Sequence, residues 1–164
     1  MRQLPDSIIE KSVEILKIEK EIKAELKWSR DSQHASYLTT QFVAVFESEN
    51  QTTLRNVTFQ ATYHEKKIAE DCKYAFTLFY NEAKVRYPVF QLEVYGKHQQ
   101  SHKCRRYNES FYGSHVHFSD TQIELEFPYG CQNFDEWVII FCKIAKIKTD
   151  KSIFHPHKPK GVLL

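Results

Sequence analysis

The chain has 164 residues, 41% of them hydrophobic and 14% aromatic, and its 23 basic and 21 acidic side chains leave a formal charge of +2. That length suffices for one well-buried core, and the aromatic content, set against only four glycines and five prolines, argues against general disorder. Near balance of charge excludes a polycation acting as a whole on nucleic acid or anionic membrane, and no apolar run approaches the roughly 18 residues of a bilayer span, so any basic function must be local.

Met1 to Pro5 leads into a charged segment without the apolar core of a signal peptide, so the expected location is the cytoplasm, with no membrane partner. From about Ser7 to Trp28 the sequence predicts a helix. Ser7 and Glu10 make a capping box, no Gly or Pro breaks the run to Trp28, and Ile8, Ile9, Val13, Ile15, Leu16, Ile18, Ile22 and Leu26 form a stripe opposite alternating Lys and Glu. After a polar link, Tyr37 to Glu47 and Thr52 to Tyr63 read as a hairpin, and Tyr74 to Tyr80 with Val85 to Tyr95 as a second. Pro88 cannot donate to a ladder and so marks an edge or a bulge.

A long polar loop from Gly96 to Ser114 comes next, then strand character at His115 to Phe118 and again at Gln122 to Phe127. Asn133 and Glu136 open a closing helix to about Ile147, whose Phe134, Trp137, Val138, Phe141, Ile144 and Ala145 recur at helical spacing and should cover the sheet. The expected fold is therefore α+β, an antiparallel sheet of about five or six strands flanked by an N-terminal and a C-terminal helix. Residues 1–148 make a single domain, and 149–164, with His155 and His157, a flexible polar tail. Cys72, Cys104, Cys131 and Cys142 show no CxxC pair, so reduced thiols are expected, with Cys142 a small core residue.

Chemistry concentrates in Gly96 to Phe118, which holds four of the eight histidines. Alternation along a strand puts His115 and His117 on one face. Two imidazoles near neutral pKa can act as base and acid on an RNA phosphodiester, with His98 and His102 as supporting or alternative partners. Lys97, Lys103, Arg105 and Arg106 would then hold phosphate, and Tyr107 and Tyr112 would stack unpaired bases. On this reading the protein is a small endoribonuclease that needs no metal or other cofactor. A competing reading uses the same loop as a non-enzymatic module binding nucleic acid or protein. In a third, His115 and His117 hold zinc with His98, His102 or Cys104, in a zinc-binding protein or metallo-hydrolase, although Ser119 stands where the metallo-hydrolase pattern wants an Asp two places after the second His. The triplets His34-Ala35-Ser36 and His117-Phe118-Ser119 echo two-histidine phosphoesterases, but the second lacks the apolar residue that should follow it.

The layout of an N-terminal helix, hairpins, Tyr95-Gly96-Lys97-His98 ending a strand, a His-bearing polar loop, His115-x-His117 and a closing amphipathic helix resembles an uncharacterised group of small bacterial proteins over roughly residues 37–147. The resemblance implies a bacterial or phage-borne gene of the host-conflict or toxin-antitoxin kind, with RNA as substrate and an antitoxin as protein partner. Cys104 and the Arg105-Arg106 pair are departures from that layout.

Overall fold

A computed structural model describes residues 4–67, 71–104, 109–118, 121–149 and 153–157, with side chains for all of these except 102–104, 109–111 and 149. Helix α1 (Asp6–Lys17) is followed by β1 (Lys20–Ile22), β2 (Trp28–Arg30), β3 (Tyr37–Thr40), β4 (Val43–Glu47), β5 (Thr53–His64), β6 (Lys73–Glu82) and β7 (Val85–Tyr95). Then come β8 (Gln100–Cys104), β9 (Glu109–Tyr112), β10 (His115–Phe118), β11 (Thr121–Glu124), helix α2 (Phe134–Ala145) and β12 (Ile147–Thr149). The fold is α+β with a helix near each end and a mostly antiparallel sheet, but that sheet has ten strands rather than five or six. Its main path runs β11-β10-β7-β6-β5-β4-β1-β12, with β3 beside β5 and β2 beside β3.

The additional strands are β1, β2 and β12, and the run expected from Tyr37 to Glu47 divides into β3 and β4. The apolar stripe read as one helix to Trp28 ends at Lys17, where Ile18 turns to an extended conformation. Buried Lys20 explains the stop: its ammonium donates to the carbonyls of Ile15 at 2.6 Å and Ile18 at 2.5 Å, satisfying groups that a helix end leaves open. Beyond it, Lys20 and Ile22 are buried on alternate positions, and β1 pairs in parallel with β12, Lys20 opposite Ile147. The N-terminus also differs from the capping box, since α1 starts at Asp6 with Pro5 as N-cap and no side-chain cap.

The long loop differs as well, outside the main sheet. Residues expected to be structureless carry β8 and β9, a two-stranded antiparallel ribbon separate from the main sheet. Both predicted hairpins form. The second is longer than expected and turns at Ala83 and Lys84, with φ 49° and 63°. Opposite Pro88 the β6–β7 register shifts between Leu78 and Phe79, the irregularity that proline called for.

The core lies between one face of the sheet and the two helices. Phe141 of α2 reaches three central strands at once, its ring centre 5.6 Å from Phe59 (β5), 5.7 Å from Phe76 (β6) and 5.5 Å from Phe90 (β7). Asn133 is the N-cap of α2 as predicted, though its side chain accepts from the Gly130 N–H instead of capping the helix. Lys146, in the left-handed region, ends α2 one residue before the expected boundary.

Two cysteines expected to be reduced are bonded: Cys72, just before β6, and Cys131, just before α2, form a disulfide with Cα atoms 5.6 Å apart. Cys142 is a buried free thiol. Within the stretch expected as a tail, Ile153 is buried and the carbonyl of Phe154 accepts from the Trp28 indole at 2.9 Å. No helix among the described residues is long and apolar enough to cross a membrane.

Candidate functional site

The excursion 96–114 begins and ends at neighbouring points. Ser114 Oγ accepts from the Tyr95 N–H, and the Gly113 N–H donates to Gln99 O. Gly113 has a φ of +73°, a conformation that costs a side-chain-bearing residue, and from it the chain enters β10. Strands β7 and β10 therefore pair as if they were the arms of one long hairpin, with His115 opposite Glu93 and His117 opposite Gln91.

That register sets three ligating side chains on one face. The Nε2 atoms of His115 and His117 lie 2.8 Å apart, and Glu93 Oε2 is 3.1 Å from the first and 3.4 Å from the second. His115 is fully buried, His117 nearly so, and Glu93 has 22% of its side chain exposed. Among the described residues this is the one cluster of three His, Cys, Asp or Glu groups close enough to share a metal ion.

Burial opposes ionisation of Glu93, but its hydrogen bonds and electrostatic interactions with His115 and His117 outweigh it and hold the carboxyl well below the usual carboxylate range. His115 Nδ1 lies 3.4 Å from the Gly113 carbonyl, a partner that favours the proton on Nδ1 and leaves the Nε2 lone pair aimed at the cluster. The Tyr95 ring packs nearly parallel to His115 with centres 5.8 Å apart. Burial first, then the adjacent Glu93 charge, pushes its hydroxyl well above the usual phenol value, and a hydrogen bond with Glu93 adds to the shift.

Of the sequence candidates, His115 and His117 come together as expected. His98 is exposed on the turn after β7 and is not part of the cluster. His102, Lys103 and Cys104 lie in β8, with backbone alone described, and Arg105, Arg106 and Tyr107 lie outside the described residues. Lys97 and Tyr112 meet in a different place, a cavity of about 480 Å³ whose other walls include Tyr95, Phe127, Tyr129 and Trp137. His34 sits before β3, with β5, β6 and β7 between that strand and His117.

Glu93 is the residue that sequence reasoning missed. Its signal was present: a carboxylate between Leu92 and Val94 on a strand whose even-numbered residues enter the core must face away from that core. What the sequence did not show was that β10 returns beside β7.

Fold and site together define an α+β protein with a buried two-histidine, one-carboxylate cluster on the sheet face opposite its helices. No protein-family model, curated protein or solved structure matches the chain.

Proposed function

We propose that the protein is a metalloprotein holding one divalent ion of the zinc class between Glu93, His115 and His117, and that it works as a metal-dependent hydrolase. The observation that carries this reading is the convergence of three ligand atoms on one point. Each Nε2 has a single in-plane bonding direction, yet each is offered to two partners at once, so the protons available in neutral imidazoles cannot serve all three contacts. A cation at the centre uses one lone pair from each group. The separations of 2.8, 3.1 and 3.4 Å suit it, since ligands at zinc bond lengths stand about 3.3 Å apart in a tetrahedron.

Three protein ligands leave a fourth position for water, which zinc makes a nucleophile near neutral pH. The protein's part is to fix the ligand geometry, through the β7–β10 register and the Gly113 carbonyl, and to admit substrate on the side where Glu93 is partly exposed. Ring nitrogens 2.8 Å apart are too close to flank a scissile phosphodiester, which favours the metal over the metal-free histidine pair.

Elemental analysis of purified, tag-free protein, run beside an RNA-cleavage assay with and without chelator, separates these readings. About one metal per chain is expected, lost in Glu93→Gln and in His117→Ala. Chelator-resistant RNA cleavage by metal-free protein would overturn the proposal and restore the paired-histidine ribonuclease. Absence of both metal and cleavage would leave a binding module.

A further inference from the structure

The registers across β3, β5, β6, β7 and β10 arrange the face around the cluster in rows. One row runs Thr39, Thr62, Ala75, Glu93, His115, and the row beside it runs Tyr37, His64, Lys73, Tyr95. On the other side lie Gln60, Thr77, Gln91 and His117. Ala75 is the smallest side chain in its row, and it stands directly opposite Glu93. Lys73 is the diagonal neighbour of Glu93, and such pairs have Cα atoms about 7–8 Å apart, within reach of a lysine.

The second row is built of donors. Lys73 Nζ lies 5.8 Å from the centre of the Tyr95 ring, and no carboxylate among the described residues pairs with it. His64 stacks on Tyr37 with ring centres 4.1 Å apart, and its Nε2 is 3.1 Å from Ser36 Oγ, while its buried Nδ1 has no hydrogen-bond partner. Among the described residues in these rows the carboxylates are Glu93 and, beyond His115 on the outermost strand, exposed Glu124. A divalent ion keeps one positive charge after pairing with Glu93, and Lys73 adds another. Two positive charges at neighbouring positions of one sheet face match a dianion better than a carboxylate.

We propose that this face binds a phosphate-bearing ligand, its dianionic group held at the partly exposed side of Glu93, between the metal held by Glu93, His115 and His117 and the ammonium of Lys73. The inference rests on the metal reading and adds the class of substrate. Lys73 is the binding group, its ammonium donating to phosphate oxygens, and the Tyr95 hydroxyl keeps Glu93 oriented.

The test is calorimetric titration of inorganic phosphate into zinc-loaded full-length protein and into Lys73→Met and Lys73→Arg, with zinc content measured on each sample first. Phosphate binding about tenfold weaker in Lys73→Met, with zinc stoichiometry unchanged and binding largely restored in Lys73→Arg, is expected. Zinc-loaded wild type that ignores phosphate, or a Lys73→Met variant that binds it equally well, overturns the inference and leaves the metal centre standing. A wild type that takes up no zinc overturns the metal reading, and the inference falls with it.

Discussion

Phe90, Leu92 and Val94 on one side of β7 and Gln91, Glu93 and Tyr95 on the other are interleaved residues of one strand, and both sets are largely withdrawn from water. On the first side burial needs no particular partner. Each apolar side chain leaves water at a gain of roughly 1.5–3 kcal/mol and finds neighbours of any orientation acceptable. On the second side burial costs free energy unless every polar atom is met in direction as well as distance, and Glu93, His115 and His117 meet one another at a single point. One face of the sheet builds the fold, and the other gives up some of that stability to hold a site.

The largest break of this contrast is on the apolar side. Phe141→Ala removes the ring that touches β5, β6 and β7 together and should cost about 3–5 kcal/mol in denaturant unfolding. In the fraction that stays folded, metal content should be unchanged. The complementary break replaces Glu93, His115 and His117 by leucine in one variant. It should lose metal completely, while the metal-free chain unfolds at a stability between that of metal-free wild type and about 4 kcal/mol above it, because a buried charge cluster is exchanged for apolar contacts. A clear loss of stability instead would mean that hydrogen bonds within the cluster hold the fold without an ion.

The apolar side was also the legible side. The β-prone composition of the runs that form β5, β6 and β7 and the helical spacing of Trp137, Val138 and Phe141 placed strands and covering helix from sequence alone, because apolar burial asks for residue type and period and not for a particular partner. One error came from a feature with the same period but a different cause. Ile15, Ile18 and Ile22 fit a helical stripe, yet Ile18 and Ile22 also fit a strand, and the choice was made by a buried lysine reaching back to the helix end and by a parallel partner, β12, more than a hundred residues away. The disulfide between Cys72 and Cys131 was likewise invisible, since the sequence spacing says nothing of how close the start of β6 comes to the start of α2. Two of the three cluster residues were readable, His115 and His117 from strand alternation, and Glu93 was not, because a register between strands separated by an excursion is a tertiary fact.

Lys20 sharpens the contrast from a third position, a buried charge met only by backbone carbonyls. Burial first, then repulsion from Lys146, lowers its pKa from 10.5 to about 8. Below about pH 8 both folded and unfolded chains carry the proton, so the cost of the buried charge is present in full. Between about 8 and 10.5 the unfolded chain holds more protons than the folded one, and stability must rise with pH, by about 1.4 kcal/mol per unit at the steepest. Tyr74 and Tyr95, whose hydroxyls burial pushes up, act in the opposite sense above pH 10, where only the unfolded chain ionises them. The informative quantity is therefore the difference between wild type and Lys20→Met, in which the tyrosines cancel. Urea unfolding at half-unit steps from pH 7 to 10 should show wild type gaining on the variant throughout the upper two units, and parallel curves would mean that Lys20 keeps an ordinary pKa in its buried place. With that slope in hand the three kinds of burial can be ranked: apolar groups that need no partner, a cation that backbone carbonyls satisfy at a pH-dependent cost, and a trio of ligands whose cost an ion would remove.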